Sequence, residues 1–275
     1  NEIKEQTDPQ GWKLAKRLHN IVKEEDTTRP TTAGFNIYPA ALKNNLAAEV
    51  DIPGLNYKPL NYGEVLKKHP NWIVYGSETS SCVSTRGVYH LPVEKYQLHE
   101  SLHVTSYDLI GPPWAYPPDI EFHMQEQNPQ SLGHFIWTGI DYLGEPTPYG
   151  WVQGGDGYWN KDWPARSANF GIVDLCCQPK DRYYLFQSHW TDQPMIHLLP
   201  HWNWAGREGE KIPVYCYTNC ESAELFLNGE SMGKKHKGKD KTPVIVDFNR
   251  WEGGKYFKSP YRLSWQVPYQ PGSLT

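Results

Sequence analysis

Apolar positions first recur at helical spacing between Trp12 and Val22. Trp12, Ala15, Leu18, Ile21 and Val22 share one side, while Lys, Arg and Glu fill the other. Asp8 stands where an N-cap belongs and Pro9 fits the first helical position, so the pattern predicts a helix ending near Asp26. Beyond it, short apolar runs of strand length alternate with helical stretches. Residues 29–34, 50–57, 71–78 and 133–141 read as strands. Stretches around 40–46, 62–68, 93–109 and 181–190 read as helices. Each strand ends in polar residues.

Strands alternating with helices predict βα units and a parallel sheet. Polar strand ends suit a (β/α)8 barrel, whose functional residues sit at the C-terminal ends of its strands. A complete barrel takes ~250 residues. About 190 precede the change of pattern here, and they supply four clear strands. The expected fold class is therefore α/β: the second half of a TIM barrel over residues 1–193, with Asn1 and Glu2 at the tip of the strand preceding the first helix. The Gly-, Pro- and aromatic-rich stretch 143–171 reads as a long lid or subsite loop.

From residue 194 onward the pattern becomes all-β. Residues 211–218 and 223–228 alternate, and Asn228-Gly229 is a strong hairpin signal leading into a return strand at 231–235. Further strands are expected at 244–248 and 261–267. This predicts an immunoglobulin-like β-sandwich over 194–275 that stops short of its last strand or strands. The basic run from Lys234 to Lys241 reads as a solvated hairpin tip.

Composition narrows the field. The formal net charge of −4 argues against a nucleic-acid footprint, which needs a broad basic face. No apolar run approaches the length of a membrane span. The five cysteines, Cys82, Cys176, Cys177, Cys216 and Cys220, show no zinc spacing and are expected as free, mostly buried thiols. Twelve Trp and eighteen Tyr suit either a large core or a site for flat, weakly polar ligands such as sugars.

Two carboxylates stand out. Glu2 precedes a helix, and Glu78 ends an apolar strand in Tyr75-Gly-Ser-Glu-Thr79. On a barrel both would project into one cleft, as glycoside hydrolysis requires. The plainer alternatives are a frayed chain start for Glu2, and for Glu78 a buried partner of Arg29 or Arg86.

An ordered set of segments carries a resemblance. Asn1-Glu2-Ile3, Arg29-Pro-Thr-Thr-Ala-Gly34, Gly54-Leu-Asn-Tyr57, Tyr75-Gly-Ser-Glu78 and Phe135-Ile-Trp-Thr-Gly-Ile-Asp-Tyr-Leu-Gly-Glu-Pro146 come first. Ser167–Asp174, Pro179–Tyr184, His197–Trp204 and Glu224–Gly229 follow. Together the set resembles glycoside hydrolase family 2, in its bacterial β-galactosidase group. The resemblance implies a retaining glycoside hydrolase acting on terminal β-galactosides, with Glu2 as general acid/base and Glu78 as nucleophile. It implies substrate contacts from Asn1, Asn56, Tyr57, Trp137, Asp141, Glu145 and Arg166, with Asn1 on the sugar 2-hydroxyl, Tyr57 on the Glu78 carboxylate and Trp137 as the apolar wall. It implies that no organic cofactor is needed, and although some relatives bind metal ions near the site, no ligand cluster in this sequence points to one. Its partners would be a β-galactoside oligosaccharide or polysaccharide and the rest of a parent polypeptide, and a homo-oligomer is compatible with it. It points by analogy to a periplasmic or secreted location. Some family members carry a His three residues after the nucleophile, where this chain has Ser81. Two rivals stand beside this reading. One is another family 2 activity, such as β-glucuronidase, β-mannosidase or a modified-galactose glycosidase. The other is a non-catalytic carbohydrate-binding fragment.

Overall fold

The structure is a computed structural model that describes residues 2–3, 6–93, 99, 101, 103–108, 111–112, 114–143, 167–245 and 256–275. Its contacts divide into two compact units. Residues 1–81 with 114–137 form one, and residues 82–113 with 138–275 form the other.

The first unit is the expected α/β layer. Strands β1 (Thr32–Phe35), β2 (Ile52–Asn56), β3 (Val74–Ser80) and β4 (Ser131–Trp137) lie parallel and side by side in chain order. Glu2 adds a fifth parallel position through a bridge to Gly34. Helices α1 (Gly11–Glu25), α2 (Tyr38–Lys43), α3 (Tyr62–Lys68) and α4 (Pro118–Gln127) make the connections. Alternation along the strands sorts side chains by face. Ala33, Phe35, Leu55 and Val74 are buried in one cluster with Ala15, Tyr38, Ala41, Val65 and Leu66 of the helices. On the other face, the Thr32 hydroxyl donates to the Ile52 carbonyl at 2.6 Å and accepts from the Tyr75 hydroxyl at 2.8 Å, and Tyr75 meets Phe135 edge-on. That face borders a cavity of about 380 Å³ between Thr32, Ile52, Tyr75 and Phe135. Leu132 and Phe135 are 64% and 68% exposed, and Leu18, Ile21 and Val22 of α1 are exposed as well.

Two local expectations are corrected. Helix α1 starts at Gly11 rather than Pro9, because Asp8 closes the preceding turn: its Oδ1 accepts the Gln10 N–H at 2.7 Å and its carbonyl accepts the Gly11 N–H. The helix expected over 93–109 does not form in the part described. Residues 103–108 are turn and irregular chain, and 94–98, 100, 102 and 109 lie outside the described residues. The Val-Thr-Ser-Tyr-Asp run favours local side-chain hydrogen bonds over a helix, and Asp108 is drawn into a buried ion pair with Arg182. The helix leading into β4 is α4 instead. Its weak apolar periodicity hides it, but Pro118 at its first turn and Asp119 and Glu121 just behind are start signals.

Glu121 of α4 is wholly buried, with its Oε2 accepting the Tyr62 hydroxyl at 3.1 Å. Burial pushes its carboxyl up from 4.5 to about 8. A carboxyl that holds its proton more tightly in the native state contributes stability that is complete below pH 4.5 and lost as pH rises through about 8. Over that window the slope is about 1.4 kcal/mol per pH unit. Glu121→Gln, which keeps the shape without the charge, should flatten the fall of the thermal midpoint between pH 5 and 8. An unchanged slope in the variant would show that Glu121 is not the titrating group.

In the second unit, α5 (Asp181–Trp190) precedes a β-rich region. Strands β5 (Ile196–Leu199), β6 (Lys211–Thr218) and β11 (Leu263–Pro268) form an antiparallel sheet in the order β11-β6-β5. Strands β7 (Ser222–Leu227) and β8 (Glu230–His236) form the hairpin that Asn228-Gly229 predicts, with both turn residues at positive φ. Strands β9 (Thr242–Ile245) and β10 (Tyr256–Ser259) pair antiparallel. Val214, Cys216, Leu225, Leu227, Leu263, Trp265 and Val267 are buried between the β6–β11 and β7 layers, as sandwich packing requires. Among the cysteines only Cys82 and Cys216 are buried, whereas Cys176, Cys177 and Cys220 are exposed, contrary to the expectation of mostly buried thiols. Cys176 and Cys177 occupy a surface turn whose amides bond to Asp174.

No helix among the described residues is long and apolar enough to cross a membrane.

Candidate active site

The four strands and the Glu2 bridge are all parallel, so their C-terminal ends gather on one side of the sheet. Glu2, Asn36, Asn56, Tyr57, Glu78 and Trp137 lie at those ends. Asn56 is in register with Glu78, and Trp137 with Ser80.

Two consecutive residues hold the two carboxylates. Asn56 Nδ2 donates to Glu2 Oε1 at 2.9 Å, and the Tyr57 hydroxyl donates to Glu78 Oε2 at 2.8 Å. In a regular strand neighbouring side chains point to opposite faces. Tyr57 escapes that alternation by leaving the strand at φ 53°, in the left-handed region. Its own N–H stays bonded to the Glu78 carbonyl at 2.8 Å, so backbone and side chain together fix Tyr57 on Glu78.

Asn56 is itself fixed. It is completely buried, and its Oδ1 accepts the Ser77 hydroxyl. Asn36 Nδ2 is a second donor to Glu2 Oε1, at 3.3 Å. Between Asn56 and Glu2 runs β1, and the residue they reach across is Gly34. A Cβ on Gly34 would stand 2.7 Å from Asn56 Oδ1. Only a bare backbone leaves room for the contact.

Burial raises the Tyr57 hydroxyl far above the ordinary tyrosine range; the Ser81 hydrogen bond pulls it partly back, while the Glu78 charge adds to the rise. Tyr57 therefore keeps its proton at any working pH and serves Glu78 as a donor.

Asp141 is buried in the second unit, where its Oδ1 accepts Lys180 Nζ at 2.7 Å and the Gly171 N–H at 2.8 Å. Burial lifts its carboxyl and pushes Lys180 down to about 8, and their ion pair opposes both shifts. Its carboxylate thus pins the chain at Gly171. Asn1, Glu145 and Arg166 lie outside the described residues. His134, in β4, is half-buried against Phe122 and Gln125. Among the described residues no group of three or more His, Cys, Asp or Glu is arranged to hold a metal ion.

Comparison with known proteins extends this picture. The family profile of a domain of unknown function, DUF4982, matches residues 209–275. The chain is 34% identical to the β-galactosidase BoGH2A of Bacteroides ovatus, over 95% of this chain and 28% of that protein. It is 38% identical to a putative β-glucuronidase of Formosa agariphila, over 56% of this chain and 12% of that protein. Among solved structures, a glycosyl hydrolase family 2 member from Bacteroides cellulosilyticus superposes with a TM-score of 0.70 at 29% identity, over all of this chain and 32% of that one. The chain thus spans about a third or less of the length of the proteins it matches.

Proposed function

Because the chain is similar from end to end to glycoside hydrolase family 2 proteins, we propose that it forms the part of a retaining β-glycosidase that carries both catalytic carboxylates. The observation that carries this reading is the paired grip of Asn56 on Glu2 and Tyr57 on Glu78 at the C-terminal ends of parallel strands.

In the proposed reaction Glu2 protonates the glycosidic oxygen while Glu78 attacks the anomeric carbon. The aglycone leaves, and the sugar stays bonded to Glu78 as an ester. Glu2, now ionised, takes a proton from water, and that water releases the sugar with its original configuration. Asn56 and Asn36 orient Glu2, and Tyr57 presents Glu78. Trp137 supplies an apolar wall, and Asn1, Glu145 and Arg166 complete the sugar contacts.

We further propose that residues 1–193 belong to a (β/α)8 barrel completed by other strands of a longer polypeptide, with residues 194–275 as an immunoglobulin-like domain. The exposed apolar side chains of α1 and β4 support this, since they suit a surface that is covered. A periplasmic or secreted location fits a polysaccharide substrate.

The proposed sugar is a terminal β-galactoside, after the Bacteroides ovatus relative; the Formosa relative favours a β-glucuronide as the second reading. Both are tested by offering the polypeptide that carries this chain 4-nitrophenyl β-galactoside, β-glucuronide and β-mannoside. The galactoside should be cleaved fastest, with the β-anomer appearing first by NMR. Faster cleavage of the glucuronide would replace the sugar assignment, and a first-formed α-anomer would end the retaining mechanism.

A further inference from the structure

Ser81 is fully buried, and its hydroxyl lies 2.8 Å from Tyr57 Oη, which lies 2.8 Å from Glu78 Oε2. A phenol has one proton to give. An ionised carboxylate can only accept, so the Tyr57 proton goes to Glu78, and the bond on the other side of the oxygen must be supplied by Ser81. The direction of the relay is fixed by chemistry: Ser81 donates to Tyr57, and Tyr57 donates to Glu78.

The backbone is bent to make this contact. Of the non-glycine residues with positive φ, two stand on the relay, Tyr57 at 53° and Ser81 at 50°, and Ser80, at 63°, directly precedes Ser81. The Ser81 N–H closes a tight turn onto the Thr79 carbonyl at 2.8 Å. Such conformations are strained for a residue with a Cβ, and glycine takes them more cheaply. The turn thus sets the Ser81 hydroxyl against the Tyr57 oxygen, at 2.8 Å.

We propose that Ser81 is a positioning residue for the nucleophile, acting through Tyr57. By donating to the Tyr57 oxygen it commits the only Tyr57 proton to Glu78 and strengthens that donation, since hydrogen bonds in a chain polarise one another. Because Ser81 is buried, solvent does not replace it. The inference rests on the reading of Glu78 as nucleophile.

The test compares Ser81→Gly and Ser81→Ala, each with Tyr57 intact and with Tyr57→Phe, in the polypeptide that carries this chain. Glycine suits φ 50° and alanine does not, so the pair separates the hydroxyl from the backbone. If the hydroxyl matters, both variants lose about three- to tenfold in kcat/KM, the worth of one ordinary hydrogen bond. Both also move the acidic limb of the pH profile to higher pH, because a carboxylate with a weakened donor holds its proton longer. On the Tyr57→Phe background neither should have a further effect. Wild-type kinetics in Ser81→Gly with a loss confined to Ser81→Ala would overturn the proposal in favour of a purely backbone role. A readout free of activity accompanies this. In protein labelled with ¹³C at tyrosine Cζ, the resonance missing from Tyr57→Phe should shift in Ser81→Gly. If it shifts but no glycoside is cleaved, the relay stands and the glycosidase reading falls. If it does not shift, the relay itself is wrong.

Discussion

Glu78→Ala should lower turnover of an aryl glycoside on the order of 10⁴-fold or more, which corresponds to about 5 kcal/mol or more of lost transition-state stabilisation. Alanine removes the attacking atom and leaves a small space where it stood. Azide fits such a space and attacks the anomeric carbon from the same side as the missing carboxylate. It should restore turnover of a substrate with a good leaving group and give the α-glycosyl azide, the product of one inversion. Glu2→Ala behaves oppositely. Glu78 still forms the glycosyl ester, and azide then opens it with a second inversion, giving the β-glycosyl azide. The anomer of the azide, read by NMR, therefore assigns the two carboxylates independently of the size of either rate loss. An α-azide from the Glu2 variant or a β-azide from the Glu78 variant would exchange the roles, and near-normal turnover in Glu78→Ala would remove Glu78 from the mechanism.

The second large effect is on stability. Arg182 is almost fully buried; it bonds Asp108 Oδ1 at 3.0 Å and the carbonyls of Phe170 and Gly171 at 2.8 and 2.9 Å. Arg182→Leu would fill much of the same volume but leave the Asp108 charge in the interior and two carbonyls without this donor. Breaking a buried pair in this way costs ~3–5 kcal/mol. The denaturant midpoint of the variant should fall accordingly, and Arg182→Leu with Asp108→Leu should recover part of the loss, because no lone charge is then buried. A change below about 1 kcal/mol for the single variant would mean that water or relaxation satisfies Asp108.

Much of the α/β layer could be read in the sequence, because its strands carry short apolar runs with polar ends and helix α1 carries a clear period. The hairpin at Asn228-Gly229 was legible for a stronger reason: those two residues tolerate positive φ where others do not. The segment around 93–127 was misplaced because its apolar residues fall at near-helical spacing while Thr105, Ser106 and Asp108 commit their side chains elsewhere. Lys180 and Arg182 read locally as the polar start of a helix. That they are buried cations depends on Asp141 and Asp108, 39 and 74 positions away, and no local pattern encodes such pairings. At the site, Glu2, Asn56, Tyr57 and Glu78 were nameable from their motifs. The donors behind them, Asn36, Ser77 and Ser81, are common polar residues whose roles depend on register and on a left-handed turn.

Gly34 contributes no functional atom, yet the link between Asn56 and Glu2 passes over it. What the chain supplies at that point is clearance. Clearance has only one spelling among the twenty amino acids, whereas a hydroxyl or an amide has several. Neighbouring positions can exchange one polar side chain for another, but any side chain at position 34 would have to push the buried Asn56 amide aside. A designer who grafts the two carboxylates with their Asn56 and Tyr57 donors onto another scaffold must carry the gap along with them.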